Sequence, residues 1–232
     1  MNDEEIEVAG VGPIRIRRLR RAVRITCRMK EGGLVASVPF CLRLDEIAQA
    51  LQRMAPRLAD LQKRGAVRPI GWDYRISTEL LQLSVVRGAG PSFVVERRPG
   101  VVRLVCPSET DWTDTARQDW LRRRIEAELR HQARQLLPPR LEALSRRWSL
   151  PYERLTVRGS RSRWGSCSSA RHISLSYFLL HLPVRLVDYV LLHELAHTRE
   201  MNHGPAFWAL LNRMTDGKAL ALRRELRSHR MD

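Results

Sequence analysis

Apolar residues alternate with polar ones through much of the first hundred positions, then recur at three- and four-residue steps. Ala22 to Met29 and Leu34 to Val38 show the alternation on either side of Glu31-Gly32-Gly33, the pattern of two strands joined as a hairpin. Leu42 to Lys63 switches to helical spacing, with Ile47, Leu51, Met54, Leu58 and Leu61 on one face. Asp45 and Glu46 suit the first turn of that helix, Lys63 and Arg64 its last, and Gly65 its stop. Leu80 to Val86, Phe93 to Glu96 and Val101 to Val105 are further strand candidates, separated by Gly88, Gly90-Pro91 and Pro99-Gly100.

The pattern changes at Pro107-Ser108. Asp114 to Trp148 reads as a long, arginine-dense helix that Pro138-Pro139 should break or kink. Leu155 to Arg158 and His172 to Ser176 are short strands around a Gly/Ser-rich segment. Pro183 opens a helix, Pro205 another, and Gly217 to Arg230 a basic last one. The expectation is an α+β chain with a boundary near residue 108. Residues 1–107 would form a β-rich module with one helix, and residues 108–232 a second domain. No internal repeat is visible.

Composition narrows the class. With 232 residues, 44% of them hydrophobic and 28% charged, the chain can bury a full core without disulfide staples. Its formal charge is 41 − 25 = +16, and only Lys30, Lys63 and Lys218 are lysines, leaving 41 − 3 = 38 arginines. A genome rich in G and C produces that bias unaided, but the resulting field still favours anionic partners. Arg15, Arg17, Arg18, Arg20, Arg21 and Arg24, then Arg122-Arg123-Arg124 and Arg223-Arg224, read either as solvated faces or as non-specific phosphate contacts with nucleic acid. No helix-turn-helix, RNA-recognition or zinc-finger spacing supports base reading. The acidic start, Met1-Asn2-Asp3-Glu4-Glu5, has no apolar segment behind it, so no secretory signal is expected. Ile173 to Val184 is the longest nearly apolar stretch and is too short for a bilayer. Cys27, Cys41, Cys106 and Cys167 lack CxxC spacing, which fits reduced thiols in the cytoplasm. Oligomeric state is not legible.

The chemistry concentrates in Val190 to Thr198, VLLHELAHT. On a helix, His193 and His197 project from one face, so two imidazoles can hold one zinc while Glu194 reaches its water. The other residues from Tyr189 to Thr198 are uncharged, so the helix should be buried, and buried polar groups of this kind need a partner. Catalytic zinc takes three protein ligands and keeps one position for water. His203 is the leading third ligand: Gly204 permits a sharp turn and Pro205 suits the first position of a new helix. Glu225 competes at plausible separation, whereas Glu200 lies too near to reach back easily.

The segments Arg161-Ser162-Arg163-Trp164-Gly165-Ser166-Cys167-Ser168, Ile173-Ser174-Leu175, His193-Glu194-Leu195-Ala196-His197 and Asn202-His203-Gly204-Pro205-Ala206-Phe207-Trp208 resemble the YgjP-like metallopeptidases. These are zincins related to the SprT, Spartan and WLM proteases. The likeness is dense from Arg161 to Trp208 and weaker before it. Ser176 stands where the family strand usually has Asn, and Gly204 where a serine is common after the third histidine. The resemblance implies a zincin-like domain with an active-site helix and short sheet, behind an N-terminal β-rich module. It also implies one zinc ion per chain held by His193, His197 and His203, with Glu194 as base. Such a site hydrolyses peptide bonds in a protein or peptide substrate. Zinc brings the pKa of its water to about 7 and polarises the carbonyl, and Glu194 takes the water's proton and passes it to the leaving amine.

An oxyanion donor is expected as well, with Arg163, His172, Tyr177 and Tyr189 as candidates among which the sequence does not choose. In Trp164-Gly165-Ser166-Cys167 the glycine would allow a tight turn and the tryptophan would pack on the active-site helix, a better reading than a cysteine nucleophile. The strand His172 to Ser176 offers an edge for an extended peptide, and Asp188 reads as a solvated acid near a helix start. Two rival functions remain: a basic nucleic-acid-associated protein whose zinc site is structural or vestigial, and metal-assisted hydrolysis of a non-peptide bond.

Overall fold

Strands β1 (Glu4–Val8), β2 (Gly12–Leu19), β3 (Thr26–Lys30) and β4 (Gly33–Pro39) form a sheet in the order β1-β2-β4-β3. The computed structural model describes residues 4–30, 33–65, 69–229 and 231, so Glu31-Gly32 of the expected hairpin and the side chains of Lys63 and Arg64 lie outside the described residues. In β2 and β4 the alternation sorts Ile14, Ile16, Leu34, Ala36 and Val38 onto one face. There they meet Ile47 and Leu51 of α1 (Leu44–Arg53) and Leu58 of α2 (Ala55–Gly65). The sequence pattern predicts one helix here, and the structure has two. Pro56 explains the break, because it has no N–H for the carbonyl of Gln52 and is tolerated only in a first helical turn. The charged β1 and β2 were not expected as strands. Charged residues also stand on the apolar face of both, where Arg18 donates to Glu4 at 3.0 Å, and so mask the alternation.

The chain divides into two units, residues 1–68 and 69–232. In the second, β5 (Arg75–Ser77), β6 (Gln82–Gly88), β7 (Val94–Arg98) and β8 (Val101–Pro107) assemble as β5-β6-β8-β7. Both four-stranded sheets are therefore wired alike: first and second strands antiparallel, second and fourth parallel, third and fourth antiparallel. In both, a glycine with positive φ precedes or opens the fourth strand (Gly33 at 122°, Gly100 at 75°), and a proline ends it (Pro39, Pro107). This is a repeat of topology where sequence showed none.

Helix α3 (Thr115–Trp148) starts where Asp114 accepts hydrogen bonds from the N–H groups of Ala116 and Arg117 at 2.9 and 3.3 Å. It runs unbroken through Pro138-Pro139, contrary to the expected break. Tertiary packing overrides the lost hydrogen bonds: Leu121, Leu129, Leu137 and Leu141 are all buried, so both sides of the proline pair are anchored in one core. That core also takes Leu83 from β6, Val102, Leu104 and Cys106 from β8, and the helices that follow. The boundary expected at 107/108 thus falls inside the second unit, because the inward residues of β8 are covered by α3. Alternation announces a strand but not the element that covers it.

Three buried polar side chains of α3 complete this packing. Gln118 donates to the carbonyl of Ile70 and accepts from its N–H, both at 2.8 Å. Gln132 grips the β7–β8 turn, accepting from Gly100 N at 2.9 Å and donating to Arg98 O at 3.0 Å. Glu128 meets Arg97 at 3.1 Å and Arg124 at 3.3 Å. The third sheet, β10 (Gly165–Cys167), β11 (His172–Ser176) and β9 (Arg154–Arg158), has the order β10-β11-β9. Strand β11 is therefore central and has no free edge for a peptide, correcting that expectation. A 3-10 turn (Tyr177–His181) then leads to α4 (Val184–Ala196), α5 (Pro205–Met214) and α6 (Ala219–Leu226). Six helices and three small mixed sheets among the described residues make the fold α+β.

Candidate metal centre

Helix α4 is apolar nearly all round and buries Leu186, Val187, Val190, Leu191, Leu192 and Leu195. Its start is held from the second sheet, where Glu79 accepts a hydrogen bond from Val184 N at 3.3 Å. Arg140 of α3 grips Asp188 with two hydrogen bonds, the one from Nη2 to Oδ2 being 2.7 Å. Asp188 is thus an inter-helix clamp rather than the solvated acid expected, a role that required a partner from 48 residues away.

His193 lies in the last turn of α4 and His197 caps its end. The chain then turns through residues 198–204, with Glu200 N bonded to Ala196 O at 2.8 Å, and returns His203 to the pair. Gly204 needs no special backbone for this (φ −78°, ψ −177°) and has open space at its Cβ position, so the serine common there would fit equally. The three histidines offer nitrogen atoms that all lie within 4.8 Å of one another, and His193 Nε2 and His203 Nε2 stand 3.1 Å apart. Two imidazole nitrogens on a tetrahedral zinc lie about 3.3 Å apart, given Zn–N bonds near 2.0–2.1 Å. His197 Nδ1 is 3.0 Å from Glu200 O, a hydrogen bond that leaves Nε2 as the nitrogen free to bind an ion. Glu225 instead pairs with Arg185, and Glu200 contributes its backbone carbonyl, so neither carboxylate joins the group.

Phe207, fully buried, supports all three rings. It stacks on His197 (centroids 4.6 Å) and meets His203 at 4.7 Å and His193 at 5.0 Å edge-on. The sequence suggested only a core residue there. Burial, with His197, His203 and Arg223 adding to it, pushes His193 down to about 3. Burial also lowers His197, against the upward pull of its hydrogen bond to Glu200. Both imidazoles are therefore held neutral, the form that binds a metal.

Glu194 is 5% exposed, and burial pushes its carboxyl up to about 8. Gly165 of β10 lies against it: a Cβ there would come within 2.7 Å of Glu194 Cγ and Oε1. The glycine is needed for close approach within a strand, not for the tight turn expected of Trp164-Gly165-Ser166-Cys167. Cys167 also lies near this carboxylate. Burial first, and Glu194 second, push its thiol up to about 11, the opposite of what a nucleophile requires.

The oxyanion candidates scatter. The Tyr189 ring stands 6.0 Å from that of His193, one helical turn before it. Tyr177 packs beneath Arg130 and against Gly159, and Arg163 and His172 are exposed, with no contact to the three imidazoles. Two polar atoms beside the site are buried without a hydrogen-bond partner, His193 Nδ1 and Tyr189 Oη.

The family model for the YgjP-like metallopeptidase domain matches residues 23–229. The chain belongs to the YgjP-like family. No curated protein and no solved structure matches it. As a YgjP-like chain it carries a metallopeptidase domain, a class of metal-bearing hydrolases acting on protein or peptide. Its three-histidine group is able to hold a metal ion. Among the described residues, no helix is long and apolar enough to cross a membrane.

Proposed function

We propose that this YgjP-like chain is a zinc-dependent peptidase with one ion per chain, His193, His197 and His203 as ligands and Glu194 as general base. The observation that supports this most is the convergence of three imidazoles, two of them held neutral by burial, with nitrogens within 4.8 Å of one another, beside a nearly buried carboxylate. The donor set fits zinc: three nitrogens at tetrahedral spacing, with no fourth His, Cys, Asp or Glu joining them among the described residues. That count favours an open, catalytic site over the structural one of the nucleic-acid reading.

When bound, the ion supplies Lewis acidity, which acidifies water and polarises a carbonyl. Glu194 accepts the proton of the attacking water and delivers it to the leaving amine, so the C–N bond breaks as the amine is protonated. Gly165 holds that carboxylate in place by leaving it room. Strand β10 lies at the edge of its sheet beside Glu194, and an extended substrate would pair with that free edge.

Zinc content and peptide cleavage of the wild type and of Glu194→Gln test the proposal. One zinc per chain is expected in both, with cleavage about 10³-fold slower in the variant. A metal-free protein, or a variant as fast as the wild type, would overturn it.

A further inference from the structure

Strand β9 is the edge of the third sheet opposite β10. It pairs in parallel with β11 on one side, and among the described residues no strand pairs with the other. A groove of about 570 Å³ runs along it, lined by residues 152 to 158 in unbroken succession and by Arg134 and Pro138 of α3. Successive side chains of a strand point to opposite faces, so a groove on one face would meet every second residue. One that meets every residue follows the edge, where N–H and C=O groups stand without a partner strand.

The groove is also basic. Leu155 and Val157 pack against the core, so Arg154, Thr156 and Arg158 share the opposite face of the strand. Arg134, Arg154 and Arg158 are exposed, and among the described residues their guanidiniums have no hydrogen-bond or ion-pair partner. Neighbouring arginines are occupied: Arg140 by Asp188, Arg161 by Glu126 and Arg171 by Glu153. The last of these pairs also takes up the acid that lines the groove.

A strand edge set among three unpaired cations narrows the occupant. A second copy of this chain is disfavoured, because β9 laid antiparallel on β9 sets Arg154 against Arg158. A phosphate backbone brings acceptors for the arginines but no donors for the carbonyl groups of the strand. An extended peptide brings both donors and acceptors, and acidic side chains on it neutralise the arginines.

We propose that the β9 edge is a docking site for an extended acidic segment of a partner protein, added to the sheet as a fourth strand. Arg154 and Arg158 stand about 13 Å apart along the strand, so the segment carries acids at positions i and i+4. The site needs no metal and does not rest on the peptidase reading. Because β9 lies only two strand spacings, about 10 Å, from the β10 edge beside Glu194, a docked protein is held close to the metal centre.

The test is fluorescence anisotropy of labelled peptides with full-length Glu194→Gln protein, so that cleavage does not enter. The probe is a peptide of about nine residues centred on Glu-Val-Thr-Val-Glu, which sets Glu opposite both arginines and Thr opposite Thr156. Its control carries Gln for both Glu. The Glu peptide should bind about fivefold tighter than the control. Arg154→Gln with Arg158→Gln, both at exposed positions, should reduce that preference to less than about twofold. N-methylation of the Glu peptide at every second residue blocks a ladder in one of its two phases. One phase should therefore weaken binding about tenfold or more, and the other should leave it unchanged. Indifference to both phases, an undiminished preference in the double variant, or no binding at about 1 mM peptide overturns the proposal. So does an oligothymidylate that binds more tightly than the Glu peptide and is weakened by the same two substitutions, which would make the groove a track for nucleic acid.

Discussion

The two four-stranded sheets share strand order and strand senses, and the second shares its core with the helix that carries His193 and His197. In the first, the β1–β2 turn is tied to its own helix, Ala9 N donating to Gln52 of α1 at 3.1 Å, and the core closes on α1 and α2. In the second, the corresponding β5–β6 connection reaches forward. Thr78 donates to Leu180 O at 3.0 Å, and Glu79 accepts from the first N–H of α4. Helix α3 then carries Gln118 and Gln132 back to the sheet and Arg140 onward to Asp188 on α4. Topology alone does not decide whether such a sheet is a free-standing module or part of an enzyme core. The side chains of the following helix and of one turn decide it.

The largest effect should come from cutting the chain at the two alternative boundaries. A fragment of residues 69–232 keeps the second sheet and should fold and bind one zinc. A fragment of residues 108–232 loses Thr78, Glu79 and the apolar face of β6 and β8. It leaves Leu121, Leu129 and Leu137 uncovered, each worth about 1.5–3 kcal/mol when buried. That shorter fragment should be unfolded at 25 °C. Circular dichroism and zinc content of the pair decide the matter. If the shorter fragment folds and loads metal like the longer one, the second sheet is a module after all and the contrast fails.

A smaller effect separates the sheets at single-residue level. Gln132→Leu removes both partners of the β7–β8 turn, leaving Gly100 N–H and Arg98 C=O unsatisfied. It should destabilise the second unit by about 2 kcal/mol. Chemical denaturation followed through the tryptophans reports on that unit alone, since Trp72, Trp112, Trp120, Trp148, Trp164 and Trp208 all lie within residues 69–232. A midpoint unchanged from the wild type would mean that the glutamine merely occupies the space.

How much of this was legible beforehand follows from how local each signal is. His193, Glu194, His197 and His203 sit within eleven residues, on and just beyond one helix, so spacing and turn chemistry suffice to gather them. Strands β6 to β9 and β11 and both ends of α3 are also written in short windows, as alternation or helical spacing, whereas β10 was expected as a turn. Arg140–Asp188, Glu79–Val184 and Gly165–Glu194 pair residues 29 to 105 positions apart, and no window contains both members. The repeated sheet was hidden for a related reason. Strand order is carried by pairings between elements, and the two copies share little more than a glycine and a proline at the fourth strand.

The smallest expected effect compares one thiol from each unit. Cys41, in the first unit, is exposed, whereas Cys167, in the second, is half-buried next to Glu194. Withdrawal from water disfavours the thiolate, and the neighbouring carboxylate disfavours it further, so its pKa stands at about 11. At pH 8 about one Cys167 in a thousand is ionised, whereas an ordinary exposed thiol is about a quarter ionised. Because only the thiolate attacks iodoacetamide, Cys167 should be alkylated at least tenfold more slowly than Cys41, as read by peptide mass spectrometry over time. Raising the pH from 8 to 9 should speed Cys167 about tenfold, since each unit below the pKa multiplies its thiolate fraction by ten. The sign is fixed by its position: a thiolate facing Glu194 gains nothing from that carboxylate. Equal rates for the two thiols would place Cys167 in an electropositive setting, and would reopen the cysteine of the Trp164-Gly165-Ser166-Cys167 segment as a reactive group.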